Sequence, residues 1–275
     1  MKDYEKIRSK ENLKYKTAIS LFQQKHRKKM QLFLIEGLRT ILQALDNEVE
    51  IEYLFVEDEC IQKHSSILEE KALAEKTLLL DKQLFQNLTD TVHSQGIVAI
   101  CHIKEQNFNE ALQKGQRLLV IDRVQDPGNL GTLLRTALAY KMDAVILTKG
   151  SVDIYSPKVT RSSMGANISM NIIQNVQPPE VILLRESGYT LYAASLDEQA
   201  VEYREVRFEK KSALILGNEA NGISEELLKS CDYKIIIPIE NEMESLNVGI
   251  AGAILMNEIF AQQRQSLSRQ GQYRT

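Results

Sequence analysis

The sequence predicts an α/β protein made of two successive α/β domains, the second with a largely parallel sheet. Three observations carry that expectation. Short apolar runs of strand length alternate with amphipathic stretches of helical period along most of the chain. One polar stretch, residues 104–116, has only Phe108, Ala111 and Leu112 as apolar side chains and divides the alternation in two. The 275 residues, 43% of them hydrophobic, suffice to bury two cores of ordinary size.

Residues 1–103 form the first series. Residues 12–29 are polar and basic with apolar positions at Leu13, Ala18, Leu21 and Phe22, which predicts a helix. Phe33-Leu34-Ile35-Glu36-Gly37 reads as a short strand entering a helix that carries Leu38, Ile41, Leu42 and Leu45. Residues 51–56 are expected as strand, 61–75 as helix, 77–80 as strand, 82–88 as helix and 96–101 as strand. Residues 104–116 are then a linker containing a short helix. The second series, 117–275, opens with Leu118-Leu119-Val120-Ile121-Asp122 and continues with strands near 144–147, 168–173, 190–194, 213–216 and 234–237. Helices alternate with these strands, so the sheet should be parallel and covered on both faces. The tail, 262–275, is polar enough to fray.

Composition excludes several classes. No run of about 18 apolar residues exists and the N-terminus lacks the apolar core of a secretory signal, so the expected location is cytoplasmic, away from membranes. Cys60, Cys101 and Cys231 are far apart, as are His26, His64, His93 and His102; neither a disulfide framework nor a metal site is implied. The net charge of −3 conceals an asymmetry: residues 1–31 hold ten Lys/Arg against three acids, a net of +7, leaving −10 on the remainder. Such a basic arm either grips phosphates or is a solvated helical face.

Three segments of the second series carry chemistry. In Asp122-Arg123-Val124-Gln125-Asp126-Pro127-Gly128-Asn129-Leu130-Gly131-Thr132-Leu133-Leu134-Arg135, a strand turns through Pro-Gly into a helix whose apolar stripe is Leu130, Leu133, Leu134, Ala137 and Leu138. Arg135 lies off that stripe. Helical side chains lean toward the N-terminus, so its guanidinium either reaches back over the loop to hold a phosphate or carboxylate, or is an ordinary exposed arginine. Leu216-Gly217-Asn218-Glu219-Ala220-Asn221-Gly222 is a strand entering a tight loop, either a plain turn or a place where a ligand approaches bare backbone. In Ile237-Pro238, followed by Ser245-Leu246-Asn247-Val248-Gly249, a buried strand ends, and Ser245 or Asn247 can cap a slim helix. Loops that follow strands of one parallel sheet converge on one site beyond the strands' carboxyl ends. The dinucleotide fingerprint and the phosphate-cradling loop of ATPases are both missing, which disfavours an ordinary dehydrogenase or ATPase.

Taken together, in this order, the segments resemble the motifs of the SpoU (TrmH-type) RNA 2′-O-methyltransferases of the SPOUT class. The resemblance rests on Asn129 and Arg135 six residues apart, Leu216-Gly217-Asn218-Glu219, and Ile237-Pro238 with Ser245-Leu246-Asn247-Val248; it covers residues 117–260. Pro157-Lys158-Val159-Thr160-Arg161-Ser162-Ser163-Met164-Gly165-Ala166 also resembles family sequence. Asn241, Ala220 and Gly249 depart from it, standing where the family usually has Gly, often has Gly, and commonly has Ser or Ala.

The resemblance implies transfer of the methyl group of S-adenosyl-L-methionine to a ribose 2′-hydroxyl of RNA, ribosomal RNA rather than transfer RNA. It also implies a deep trefoil knot and a homodimer. Arg135, Asn129, Glu219, Ser245 and Asn247 would be the catalytic set; Gly217, Asn218, Ile237, Leu246 and Ser195 would hold the cofactor, with no metal. Residues 1–103 resemble the ribosomal-protein L30e-like substrate-binding domain through Phe33-Leu34-Ile35-Glu36-Gly37 and His93-Ser94-Gln95-Gly96-Ile97. A non-catalytic RNA-binding or ribosome-assembly protein on the same fold is the rival reading, and cofactor binding discriminates the two. An enzyme of a small phosphorylated metabolite would leave the basic segment unexplained.

Overall fold

The structure, a computed structural model, describes residues 4–89, 91, 94–104, 115–240 and 245–269. In chain order the elements are β1 (Glu5–Ile7), α1 (Leu13–Ser20), α2 (Gln24–Met30), β2 (Leu32–Glu36), α3 (Leu38–Asp46), β3 (Ile51–Glu57), α4 (Ile61–Glu70), β4 (Thr77–Leu80), α5 (Lys82–Gln86) and β5 (Ile97–His102). There follow β6 (Arg117–Ile121), α6 (Pro127–Ala139), β7 (Ala144–Thr148), α7 (Pro157–Ser162), α8 (Ala166–Ser169), β8 (Ile172–Val176), α9 (Pro178–Ile182), β9 (Thr190–Ala194) and β10 (Val201–Glu202). The last are β11 (Ser212–Leu216), α10 (Glu225–Ser230), β12 (Tyr233–Ile236) and α11 (Val248–Arg269). Among the described residues no helix is long and apolar enough to cross a membrane.

Two compact units emerge: residues 1–105 with 153–169, and residues 106–152 with 170–275. The expected linker falls almost wholly outside the described residues, and 153–169, read from the sequence as part of the second series, groups with the first unit. Three contacts account for that grouping. The Arg27 guanidinium donates to Asp153 Oδ2 from Nε at 2.9 Å and from Nη2 at 2.6 Å. The Phe33 and Tyr155 rings lie 4.7 Å apart, and Gln43 Nε2 donates to Ser169 Oγ at 2.8 Å.

In the first unit the strand order is β1-β4-β3-β5-β2. β1, β4 and β3 run parallel, and β5 runs antiparallel to both β3 and β2. The helix expected over 12–29 is two helices, and residues 5–7 ahead of it add an unexpected edge strand. Leu13, read as an apolar stripe position, is 80% exposed, whereas Ala18 and Leu21 are buried. The helix expected over 61–75 stops at Glu70 because Ala72 takes φ +53° and the Leu73 N–H closes on the Leu68 carbonyl at 2.8 Å. That is the left-handed helix stop usually built on glycine, so the sequence carried no signal for it.

The second unit holds seven strands, all pairs parallel, in the order β10-β12-β9-β11-β6-β7-β8. Leu118, Leu119, Val120, Ala213, Leu214 and Ile215 are wholly buried, as expected of a sheet covered on both faces. The strand expected over 168–173 begins only at Ile172. Before it, in the first unit, Asn167 is buried, donates to the Ile154 carbonyl at 2.9 Å and accepts from Ser163 Oγ at 2.9 Å, which holds a helical turn instead. The tail expected to fray is helical through Arg269, anchored where Gln262 accepts from the Phe208 N–H and donates to the Val206 carbonyl, both at 3.0 Å. Leu138, placed on the apolar stripe, is 40% exposed. The chain leaves β6 toward β7 on one side and β11 toward β12 on the other, so the connections change side between β6 and β11, where the loops that follow these two strands face one another.

Candidate active site

At the end of β6 the buried Asp122 carboxylate ties three segments together. Oδ1 accepts from Thr148 Oγ1 at 2.7 Å, Oδ2 accepts from the Ser224 N–H at 2.7 Å, and Arg123 Nη2 lies 3.3 Å away. The Arg123 carbonyl in turn accepts from Asn218 Nδ2 at 2.8 Å. Asn218 Oδ1 takes the N–H groups of Ala220 and Asn221, and the backbones of Asn218 and Gly222 exchange two hydrogen bonds. The loop after β11 is therefore a closed hairpin. A side chain at Gly217 would put Cβ 2.2 Å from the Gly222 carbonyl carbon, which is why glycine stands there.

Asp126 caps α6, accepting from the Asn129 N–H at 2.7 Å, with Pro127 at the first helical position. Asn129 links two other loops: Nδ2 donates to Glu219 Oε1 at 2.8 Å and Oδ1 accepts from Asn247 Nδ2 at 2.9 Å. Asn247 caps α11, Oδ1 accepting from the Gly249 N–H at 2.9 Å and the Ile250 N–H at 3.3 Å. Because that oxygen must face the helix, the amide orientation is determined, and the donors run in one direction, Asn247 to Asn129 to Glu219. Asn247, rather than Ser245, is the cap. The slim start of α11 packs on α6 and β11: a Cβ at Gly252 would lie 2.4 Å from Leu133 Cδ2 and 2.8 Å from Leu216 Cδ1.

A cavity of about 660 Å³ opens against these loops. Ser195, Gly217, Asn218, Ile237 and Leu246 all line it, and so do Glu219, Ser245 and Asn247. Asn129 is joined to that set by its hydrogen bonds. Arg135 stands on the exposed face of α6, outside the lining, with no partner among the described residues. Ile237 and Leu246 present backbone groups that no described residue pairs, and Asn241 lies outside the described residues. At one edge Ser195 Oγ accepts from the Asp197 N–H at 3.2 Å, and Asp197 pairs with Lys234 at 2.6 Å. The Lys234 ammonium holds the Asp197 carboxyl below the usual carboxylate range.

Sequence reasoning missed the structural carboxylates Asp122, Asp126 and Asp197. Asp126 had a legible signal, the Asp-Pro pair of a helix start; Asp122 and Asp197 had none, since Thr148, Ser224 and Lys234, which fix their roles, lie 26 or more residues away.

Residues 116–257 match the SpoU rRNA Methylase family, and residues 12–99 match the MRM3-like substrate binding domain. The chain belongs to the SpoU rRNA methylase family. It is 35% identical over 250 residues to the 23S rRNA (guanosine(2553)-2′-O)-methyltransferase RlmP of Bacillus subtilis, covering 91% of this chain and 97% of that protein. The solved structure of an AdoMet-bound rRNA methyltransferase from Sinorhizobium meliloti superposes with a TM-score of 0.84 at 26% identity, covering 96% of this chain and 98% of that one. An RNA 2′-O ribose methyltransferase structure gives 0.80 at 28% identity, covering 94% and 99%. As a SpoU enzyme the chain is an S-adenosylmethionine-dependent RNA 2′-O-methyltransferase.

Proposed function

We propose that this SpoU enzyme methylates the ribose 2′-hydroxyl of a guanosine in 23S ribosomal RNA, working in the cytoplasm as a homodimer with its C-terminal segment threaded into a trefoil knot. The likeness to RlmP over nearly its full length supports the substrate. Leu138 and Ile250 are exposed apolar residues on α6 and α11, two helices that pack on each other, and a partner subunit would cover them.

The observation that carries the site assignment is the one-way amide chain from Asn247 through Asn129 to Glu219 at the wall of a cavity of cofactor size. The unpaired backbone groups of Ile237 and Leu246 suit the adenine edge, while Gly217, Asn218 and Ser195 form the remaining wall. S-adenosylmethionine supplies an electrophilic methyl group. A guanidinium has donors only and no lone pair to take a proton, so Arg135 acts by charge: its planar fork binds the phosphate beside the target ribose and stabilises the developing alkoxide. Asn129, Glu219, Ser245 and Asn247 orient the ribose.

The test is transfer of labelled methyl to ribosomal RNA from a strain lacking this protein, mapped by resistance to alkaline cleavage. One protected guanosine in 23S RNA is the expected result; label on transfer RNA alone, or cofactor binding without label on any RNA, overturns the substrate.

A further inference from the structure

The family-like segment over residues 157–166 contributes nothing to the cofactor cavity. In the first unit its Pro157, Thr160, Arg161 and Met164 form one wall of a separate cavity of about 270 Å³. Phe22, the end of β2, the start of α3, and Leu88, Thr91, Gln95 and Val98 supply the rest. That volume falls below the range of about 300–1,000 Å³ usual for larger ligands and suits one planar ring system.

Its polar groups are unequally satisfied. Glu36 Oε1 accepts from both threonine hydroxyls, Thr89 at 2.6 Å and Thr91, while Oε2 has no partner among the described residues. Gln95 Oε1 accepts from the Leu38 N–H at 3.0 Å, which assigns its amide and leaves Nε2 as a donor. Arg39 is exposed and has no partner among the described residues, and Lys25, Lys28 and Lys29 follow Phe22 on α2, also exposed.

We propose that this cavity is a second recognition site for the RNA substrate and takes one unstacked guanine base. The proposal rests on the chain acting on RNA. A carboxylate oxygen only accepts, so it repels phosphate and demands N–H donors. Guanine presents N1–H and its 2-amino group side by side, with O6 next to them for a donor such as the Gln95 amide. Phe22 and Arg39 provide the aromatic and guanidinium surfaces on which splayed-out bases stack, and the exposed lysines of α2 answer the backbone phosphates.

The test titrates the full chain, saturated with S-adenosylhomocysteine to fill the cofactor cavity, with labelled RNA pentamers UUGUU, UUAUU, UUCUU and UUUUU, read by fluorescence anisotropy. UUGUU should bind at least about fivefold more tightly than the others. Glu36→Gln should bring it to within about twofold of UUAUU, a loss of the base-edge contact alone. Phe22→Ala should weaken UUGUU about tenfold, and Arg39→Ala at its exposed site should weaken all four about two- to threefold. Equal affinities, preference for another base, no binding, or a guanine preference that survives Glu36→Gln overturns the proposal. No transfer is read here, so an error in the reaction assignment leaves these affinities unchanged.

Discussion

Around the 660 Å³ cavity, polar side chains from three loops hold one another, with Asn129 bonded to partners 90 and 118 residues away, while in the N-terminal unit several cations that look free in the sequence are paired with carboxylates. Of the nine described Lys and Arg residues among the first 31, Lys6 pairs with Asp58, Lys14 with Glu5 and Lys16 with Glu11, and Arg27 is buried on Asp153. The expected basic arm is thus an edge strand and two helices, and its remaining cations are Arg8 and Lys10 ahead of α1 and Lys25, Lys28 and Lys29 on α2. Residue types at motif spacing pointed to Asn129, Glu219 and Asn247, which the fold joins by hydrogen bonds; the summed charge of a segment overstates the cations it leaves unpaired.

Substitutions can break that contrast. The largest effect belongs to Gly217→Ala, whose Cβ would sit 2.2–2.5 Å from the Gly222 and Ile223 backbone; S-adenosylmethionine affinity by calorimetry should fall at least about 100-fold, since the hairpin must open. Next is Arg27→Ala, which leaves the largely buried Asp153 carboxylate with only the Tyr155 N–H and no counter-charge, and should cost about 3 kcal/mol in denaturant unfolding. Replacing both partners by leucine should restore most of it, because neither charge then remains. Asn129→Ala severs the amide chain, so methyl transfer should drop about 10–100-fold while cofactor affinity stays within about twofold, a loss of positioning rather than of binding. Smallest is the comparison of two lysines: Lys28→Ala should lower RNA affinity and reduce the salt slope by about one, and Lys14→Ala, already paired with Glu5, should change neither.

Much of the second unit was legible because a parallel sheet buried on both faces writes itself as apolar runs, and the three loops follow those runs. The cavity-lining residues Ser195, Gly217, Asn218, Glu219, Ile237, Ser245, Leu246 and Asn247 were legible one by one, but the hydrogen bonds that join Asn247, Asn129 and Glu219 were not, since spacing within a motif says nothing about contact between motifs. The first unit was legible as strands and helices and less so in detail. The stop at Ala72 uses a residue without the glycine signature, and β1 is three residues long. The grouping of 153–169 with the first unit depends on Arg27, Phe33 and Gln43, all more than a hundred residues away.

The most direct measurement is methyl transfer to 23S ribosomal RNA by the Arg135→Lys enzyme, with S-adenosylmethionine affinity determined on the same preparation. Arg135 lies outside the cavity lining, so cofactor affinity should stay within about twofold of wild type, while loss of the planar fork should lower transfer at least about 100-fold. Near-normal transfer by Arg135→Lys would contradict the account, placing the charge stabilisation on another residue.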